Sequence, residues 1–123
     1  MNEVFVTTAG AQQSLSVPAK SSGGGSAVNG GEFLMLALAT CFCNDVYREA
    51  ARLNILVESV EVEASAEFPG VGLSATNITY RAQVSSPAPA TVIAELLRQT
   101  DVVAEVHNTM RTGARIELQT WKK

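Results

Sequence analysis

The pattern of apolar and polar positions changes several times along the chain. Residues 3–8 and 14–17 alternate on either side of Gly10, which is typical of a short β-hairpin. Residues 19–31 are rich in glycine and serine, which predicts a mobile loop, either a plain linker or a flap beside the next element. Residues 33–42 then contain one polar side chain, Thr40, before a mixed stretch begins. We therefore predict one long helix over residues 29–54, with a buried first half, a second half that reaches the surface, and Asn54 as the helix stop.

The rest of the chain alternates strictly in two places and then becomes helical. Residues 59–68 and 76–85 predict two strands of an antiparallel hairpin, in which Arg81 meets the acidic face of the first strand. Residues 91–100 and 102–112 predict two helices, Gly113 a helix cap, and residues 115–121 a last strand. Runs of strands followed by runs of helices favour an α+β fold, with an antiparallel sheet packed on the long helix.

The length of the chain and its apolar helix predict the number of domains and of subunits. The 123 residues predict one domain, residues 1–123, and the apolar helix predicts a homodimer, because one small sheet cannot cover it.

The net charge is −3 and the basic residues are scattered, which argues against a nucleic-acid-binding protein. The apolar run is too short to cross a membrane. The first residues lack the basic start of a signal peptide, so we expect a cytoplasmic protein. A single histidine and two cysteines argue against a zinc site, and no cofactor is predicted.

The candidate chemistry lies where the long helix changes character. Cys41 shares a helix face with Asp45 and Arg48, at one and two turns' distance. If Arg48 leans back toward the helix N-terminus, it lowers the pKa of the Cys41 thiol and makes it reactive. The alternative is that Arg48 pairs with a carboxylate and never reaches the sulfur. Cys43 faces elsewhere, since two helical steps turn it by about 200°, and we interpret it as a packing residue.

The helix sequence NGGEFLMLALATCFCNDV resembles the central motif of the OsmC-like family of peroxide and osmotic-stress proteins, roughly S-P-x-E-L-L-L-A-A-L-A-x-C-x-x-x-D-V. The positions that match are Glu32, Leu34, Leu36, Ala37, Leu38, Ala39, Cys41, Asp45 and Val46. The resemblance implies the family's α+β fold, an intertwined dimer and a site between the subunits. In the hydroperoxide-reducing members, the position of Cys41 holds the thiolate that attacks the peroxide, and a second cysteine resolves the product as a disulfide.

The chain departs from this pattern at two positions that matter for chemistry. Ala104 stands where the resolving cysteine would be, and no arginine precedes Arg48 to match the activating arginine of the organic-hydroperoxide branch. Glu32 matches the broader branch of the family instead. In the implied fold, His107 lies one turn beyond Ala104, where it could accept the thiol proton from Cys41.

Two functions follow from these residues, and the sequence leaves open whether the protein is an enzyme. The first is reduction of a small peroxide by Cys41 in a one-cysteine cycle, with an external thiol as the reductant. The second is non-catalytic binding of a small apolar molecule in the pocket between the two subunits of the dimer.

Overall fold

The computed structural model describes residues 3–122, which form four strands and three helices. In chain order these are β1 (Glu3–Thr8), β2 (Ala11–Ser16), α1 (Gly30–Arg52), β3 (Ser59–Glu67), β4 (Thr76–Ser85), α2 (Ala90–Val103) and α3 (Glu105–Thr112). The strands form two separate antiparallel pairs, β1 with β2 and β3 with β4. The α+β prediction with antiparallel strands is therefore confirmed. The described chain divides into two compact units, one up to Leu34 and one from Met35 onward.

The first unit is built on the β1–β2 hairpin. Thr8 pairs with Ala11, so Ala9 and Gly10 alone make the turn, and both have positive φ angles of 49° and 77°. A two-residue turn with two positive φ angles fits the twist of the strands, and glycine adopts that conformation at little cost. The predicted loop that follows is irregular apart from one isolated bridge between Ala19 and Ser26.

Helix α1 is defined at both ends by hydrogen bonds that its sequence encodes. At the start, the Asn29 side chain accepts from the Glu32 N–H at 2.8 Å, and the Glu32 carboxylate accepts from the Asn29 N–H at 3.1 Å, which is a capping box. At the end, Asn54 has a φ of 57°, and the Ile55 N–H reaches back to the Ala50 carbonyl at 2.8 Å. This is the Schellman arrangement that Asn54 predicted.

The second unit packs one face of the β3–β4 hairpin against the C-terminal half of α1. The buried residues of its main hydrophobic cluster are Phe42, Val46, Ala50, Leu96 and Ala104. The alternating inner residues of the hairpin pack on this cluster, among them Val62 and Ala82, which are directly opposed across the strands. On the outer face Glu63 and Arg81 pair at 3.0 Å, as predicted, but both are well exposed, so the pair adds little stability.

Two sequence expectations differ from the structure of the single chain. The first half of α1 is the more exposed half, with Leu36 55% exposed, whereas the buried residues concentrate from Leu38 onward. The reason is that β3, β4 and α2 supply packing partners for the later turns. The predicted strand at residues 115–121 has no regular secondary structure and pairs with no described strand, and Leu118 is 99% exposed. A strand needs a neighbouring strand to form its hydrogen bonds.

The two later helices form in the predicted part of the chain, but the break between them lies at Ala104 and not at residue 101, where the two predicted helices were separated. This residue is fully buried and extended, with a ψ of 113°, and it ends α2 before α3 begins at Glu105. Gly113 caps α3 in the left-handed region with a φ of 67°, where glycine is favoured. Among the described residues, no helix has the length and hydropathy that crossing a membrane requires.

Candidate functional site

The Cys41 thiol lies between two carboxylates, one from its own helix and one from α3. Its Sγ is 3.5 Å from Asp45 Oδ2 and 3.8 Å from Glu105 Oε2. Asp45 arrives by helical spacing, since residues four apart lie on one face. Glu105 arrives because the buried Ala104 breaks the helical run and starts a new helix beside the thiol. Cys41 thus sits within reach of two proton acceptors and keeps part of its surface exposed.

Arg48 organises the two carboxylates and does not contact the sulfur. Its Nη1 is 3.2 Å from Asp45 Oδ1 and 2.9 Å from Glu105 Oε1, and its Nε is 3.6 Å from Glu49 Oε2. The interpretation in which Arg48 pairs with carboxylates is therefore confirmed. Asp45 is only 5% exposed, so this bridge holds a buried carboxylate in a fixed orientation toward the thiol.

The electrostatics favour the protonated thiol. Burial raises the pKa of Cys41, and the negative charges of Asp45 and Glu105 raise it further, while the Val106 backbone N–H opposes them. The pKa of Asp45 is also raised, first by burial and then by its contact with Glu105. The pKa of Glu105 is lowered by its own backbone N–H and by Arg48. At neutral pH the Cys41 proton therefore stays on sulfur, and Asp45 is a base beside it whose pKa is raised above the ordinary value of an aspartate.

This charge arrangement predicts slow alkylation of Cys41 at neutral pH. Because iodoacetamide reacts with the thiolate, the alkylation rate should rise with pH through a midpoint above 9.0, the ordinary thiol value. Asp45→Asn removes one of the charges that raise the thiol pKa and should move the midpoint to lower pH. Mass spectrometry of the Cys41 peptide across a pH series measures both curves. A parent midpoint below 9.0 would contradict the arrangement.

His107 does not pair with Cys41. Neither ring nitrogen has a hydrogen-bond partner among the described residues, and the side chain is 2% exposed. Its ring instead packs against Tyr80 at 4.5 Å and Phe42 at 5.6 Å between centroids. The expectation of a Cys–His pair is therefore wrong in this structure. The cause is that Glu105, at the start of α3, occupies the position beside the sulfur, while His107 points into the aromatic cluster.

The other two candidate residues, Glu32 and Cys43, lie on α1 and make no contact with Cys41 that the structure records. The hydrogen bonds of the Glu32 carboxylate belong to the cap at the start of α1, with Asn29 as the partner. Cys43 is a free, partly buried thiol on α1. Three side chains, Cys41, Asp45 and Glu105, place one sulfur and two carboxylate oxygens within 4.8 Å of one another. These three could hold a cation, although Arg48 already compensates both carboxylates.

The sequence did not single out Glu105 or the Val106 N–H as parts of the site. Glu105 is 64 positions from Cys41, so no local spacing connects them. One signal was available: Glu105 lies near the start of the predicted helix 102–112, and acidic residues are favoured in the first turn of a helix. That signal locates the carboxylate on α3 but gives no information about which element it faces.

Comparison with known proteins places this site within a family. The model of the family described as OsmC-like protein matches residues 23–119. No curated protein matches the chain. The crystal structure of an OsmC-like protein from Mycoplasma pneumoniae is 18% identical, with a TM-score of 0.64, covering 89% of this chain and 79% of that one.

An OsmC-like protein of unknown function from Vibrio cholerae is 21% identical, with a TM-score of 0.53, covering 65% of this chain and 56% of that one. At these identities the two structures establish the fold alone. The family match covers most of the chain and includes the helix that carries Cys41 and Asp45. The chain therefore belongs to the OsmC-like family.

Proposed function

We propose that the protein is a stress-related member of its family that reduces small hydroperoxides through Cys41. The observation that supports the proposal is the chain of contacts from the Cys41 thiol to Asp45 at 3.5 Å and from Asp45 to Arg48 at 3.2 Å. A nucleophile beside a base that a third group orients is the general arrangement of nucleophilic catalysis. The test is consumption of an organic hydroperoxide in the presence of excess dithiol.

In the proposed reaction the Cys41 proton is transferred first to Asp45 and then to the leaving alkoxide. A sulfur lone pair attacks the terminal oxygen of the hydroperoxide, the O–O bond breaks, and the thiol proton passes to the Asp45 carboxylate. Asp45 then delivers this proton to the departing alkoxide, so the products are the Cys41 sulfenic acid and an alcohol. The Val106 N–H stabilises negative charge on the sulfur during the attack, because it lowers the thiol pKa. Arg48 keeps Asp45 in position throughout.

The proposed cycle needs an external thiol to regenerate Cys41. The sulfenic acid condenses with one thiol to give a mixed disulfide and water, and a second thiol releases Cys41 and a symmetrical disulfide. Ala104 is fully buried and has no sulfur, so it cannot serve as the resolving group. Cys43 shares an unbroken helix with Cys41, and residues two apart on a helix point in diverging directions. The reductant we expect is a small thiol of the cytoplasm, the compartment that the sequence predicts.

We further propose that the protein acts as a homodimer. Much apolar surface is exposed in the single chain, including Phe5 at 51%, Leu36 at 55% and Ile116 at 96%. Large apolar side chains that are exposed in both units support an interaction site, and a second copy is the simplest partner that covers the same side chains on both chains.

Light scattering at micromolar concentration should therefore give twice the chain mass of 13.0 kDa. Leu36→Glu places a charge on the exposed apolar half of α1 and should shift the mass toward 13.0 kDa. Leu56→Glu is the matched control, because Leu56 is 66% exposed but lies in the loop after α1, and it should leave the mass unchanged. A parent mass of 13.0 kDa would rule out the dimer.

Non-catalytic binding of a small apolar molecule is the second candidate function. The observation that favours it is a cavity of about 180 Å³ in the second unit, with largely apolar walls and the unpartnered His107 imidazole among them. The raised pKa of Cys41 also fits this candidate, because a protonated thiol is a weak nucleophile. Loss of peroxide consumption in every buffer, with ligand binding intact, would favour binding over catalysis.

A further inference from the structure

Of the two carboxylates beside Cys41, only that of Glu105 lies on the solvent side. Asp45 is buried, whereas the Glu105 side chain is 63% exposed. Glu105 Oε2 lies 3.8 Å from the Cys41 sulfur, and the thiol keeps part of its own surface exposed. A molecule that reaches the sulfur from solvent therefore comes close to the Glu105 carboxylate before it reacts.

The negative charge beside the sulfur is only partly compensated by Arg48. The Arg48 Nη1 donates to Glu105 Oε1 at 2.9 Å, whereas Oε2 is the oxygen that contacts the sulfur. The same Nη1 is 3.2 Å from Asp45 Oδ1, so one guanidinium serves both carboxylates. The pKa of Glu105 is lowered, so this carboxylate is ionised at neutral pH. One positive charge against two negative ones leaves negative charge in excess beside the thiol.

This excess is large enough to select among reactants by their charge. Two like unit charges about 4–6 Å apart in water repel each other enough to slow a reaction by about three- to sixfold. The repulsion is stronger near a protein surface, where the effective dielectric constant is lower than in water. A carboxylate on a reactant would come within this range of Glu105 when its reacting atom touches the Cys41 sulfur, provided that the two groups of the reactant are close together.

We propose that Glu105 is a specificity-determining residue, which makes the Cys41 site favour neutral and cationic reactants over anionic ones. Neutral alkyl hydroperoxides are then better substrates than hydroperoxides with a carboxylate near the O–O bond. Neutral or cationic thiols are likewise better reductants than thiols that carry a carboxylate near the sulfur. The proposal rests on the proposed reduction of hydroperoxides and specifies its substrate and reductant classes.

Iodoacetamide and iodoacetate test the charge selection without any peroxide, because these two reagents differ mainly in one negative charge. With either reagent the Cys41 thiolate forms an S–C bond, and iodide leaves with the electrons of the C–I bond. A Cys43→Ser background makes Cys41 the one thiol of the full chain. The ratio of the two alkylation rates cancels the thiolate fraction, and division by the same ratio for 2-mercaptoethanol cancels the intrinsic reactivity of the reagents.

The corrected ratio should favour iodoacetamide by about threefold or more in this background at low salt. In 1 M salt the preference should shrink, because the Debye length falls from about 30 Å at 0.01 M to about 3 Å. A corrected ratio near one at low salt would overturn the proposal, and so would a preference for iodoacetate.

Three variants assign the preference to Glu105. Glu105→Gln keeps an oxygen that can accept from Arg48 but removes the charge, so the preference should fall by about threefold or more. Glu105→Asp keeps the charge and should keep the preference. Glu63→Gln is the matched control, because Glu63 is 67% exposed and pairs with Arg81 at 3.0 Å on the outer face of the β3–β4 hairpin. An equal preference in Glu105→Gln and Glu63→Gln would overturn the proposal.

Turnover of tert-butyl hydroperoxide separates this proposal from the catalytic one. The rate is measured with 2-mercaptoethanol and with mercaptoacetate, each at concentrations that limit turnover. The ratio of the two rates should fall in Glu105→Gln relative to Glu63→Gln, and an unchanged ratio would overturn the assignment of the reductant class. A protein that shows the alkylation preference but consumes no hydroperoxide would uphold charge selection at Cys41 while the catalytic proposal fails.

Discussion

Cys41→Ser should reduce the consumption of an organic hydroperoxide to the rate of dithiol alone, and Cys43→Ser should keep the parent rate. Serine preserves the size of the side chain and its ability to donate to Asp45, but its hydroxyl cannot be oxidised by a peroxide. Cys43 is the matched control, because it is also a partly buried cysteine on α1. The measurement is peroxide loss over time with excess dithiol. Equal rates in the parent and Cys41→Ser would end the catalytic proposal, and loss only in Cys43→Ser would move it to the other face of the helix.

Asp45→Asn distinguishes a proton-transfer role from a purely electrostatic one. Without the carboxylate the Cys41 thiolate becomes more abundant, so alkylation at neutral pH should accelerate. Peroxide consumption should nevertheless fall by about 10²-fold, because the alkoxide loses its proton donor. If both rates rise together, Asp45 only suppresses the thiolate and takes no part in the proton transfer.

Phe42→Ala should destabilise the fold by about 3–5 kcal/mol, the usual cost of emptying a buried phenylalanine site. Phe42 is 2% exposed at the centre of the main core, and its ring meets Tyr80 edge to face with centroids 4.7 Å apart. An aromatic pair of this kind adds about 0.5–1.5 kcal/mol beyond burial. The measurement is the urea unfolding midpoint of the parent and the variant, at the same protein concentration because association contributes to stability.

Phe68→Ala is the control for this loss. Phe68 is 52% exposed beyond the end of β3, so its truncation should cost about 1 kcal/mol or less. Equal losses in the two variants would mean that the core does not centre on Phe42. The two substitutions remove the same side chain, so a difference between them reports burial alone.

Local patterns predicted most of the elements because each pattern has a local physical cause. Alternation in residues 59–68 and 76–85 gave the hairpin and the pairing of Glu63 with Arg81. The ends of α1 and α3 were predictable from Asn54 and Gly113, because Asn and Gly readily adopt the left-handed conformation that follows a helix. Helical spacing brought Cys41 and Asp45 together, because residues four apart on a helix share a face.

The failures have a common cause in contacts between distant segments. Glu105 reaches Cys41 only through the packing of α3, and the same packing turns His107 toward Phe42 and Tyr80. The burial of α1 was assigned from its composition, whereas the position of β3 and β4 decides which turns they cover. Residues 115–121 have the alternation of a strand, but a strand also requires a paired edge.

The central claim is that peroxide oxidises the sulfur of Cys41, and trapping of the Cys41 sulfenic acid tests this claim most directly. The protein receives one equivalent of hydroperoxide at pH 7 without reductant and is then treated with a sulfenic-acid-specific trapping reagent. Peptide mass spectrometry should find the adduct on Cys41 alone, and Asp45→Asn should form it more slowly. An adduct confined to Cys43, or a protein whose two cysteines both remain unmodified after the hydroperoxide treatment, would contradict the claim.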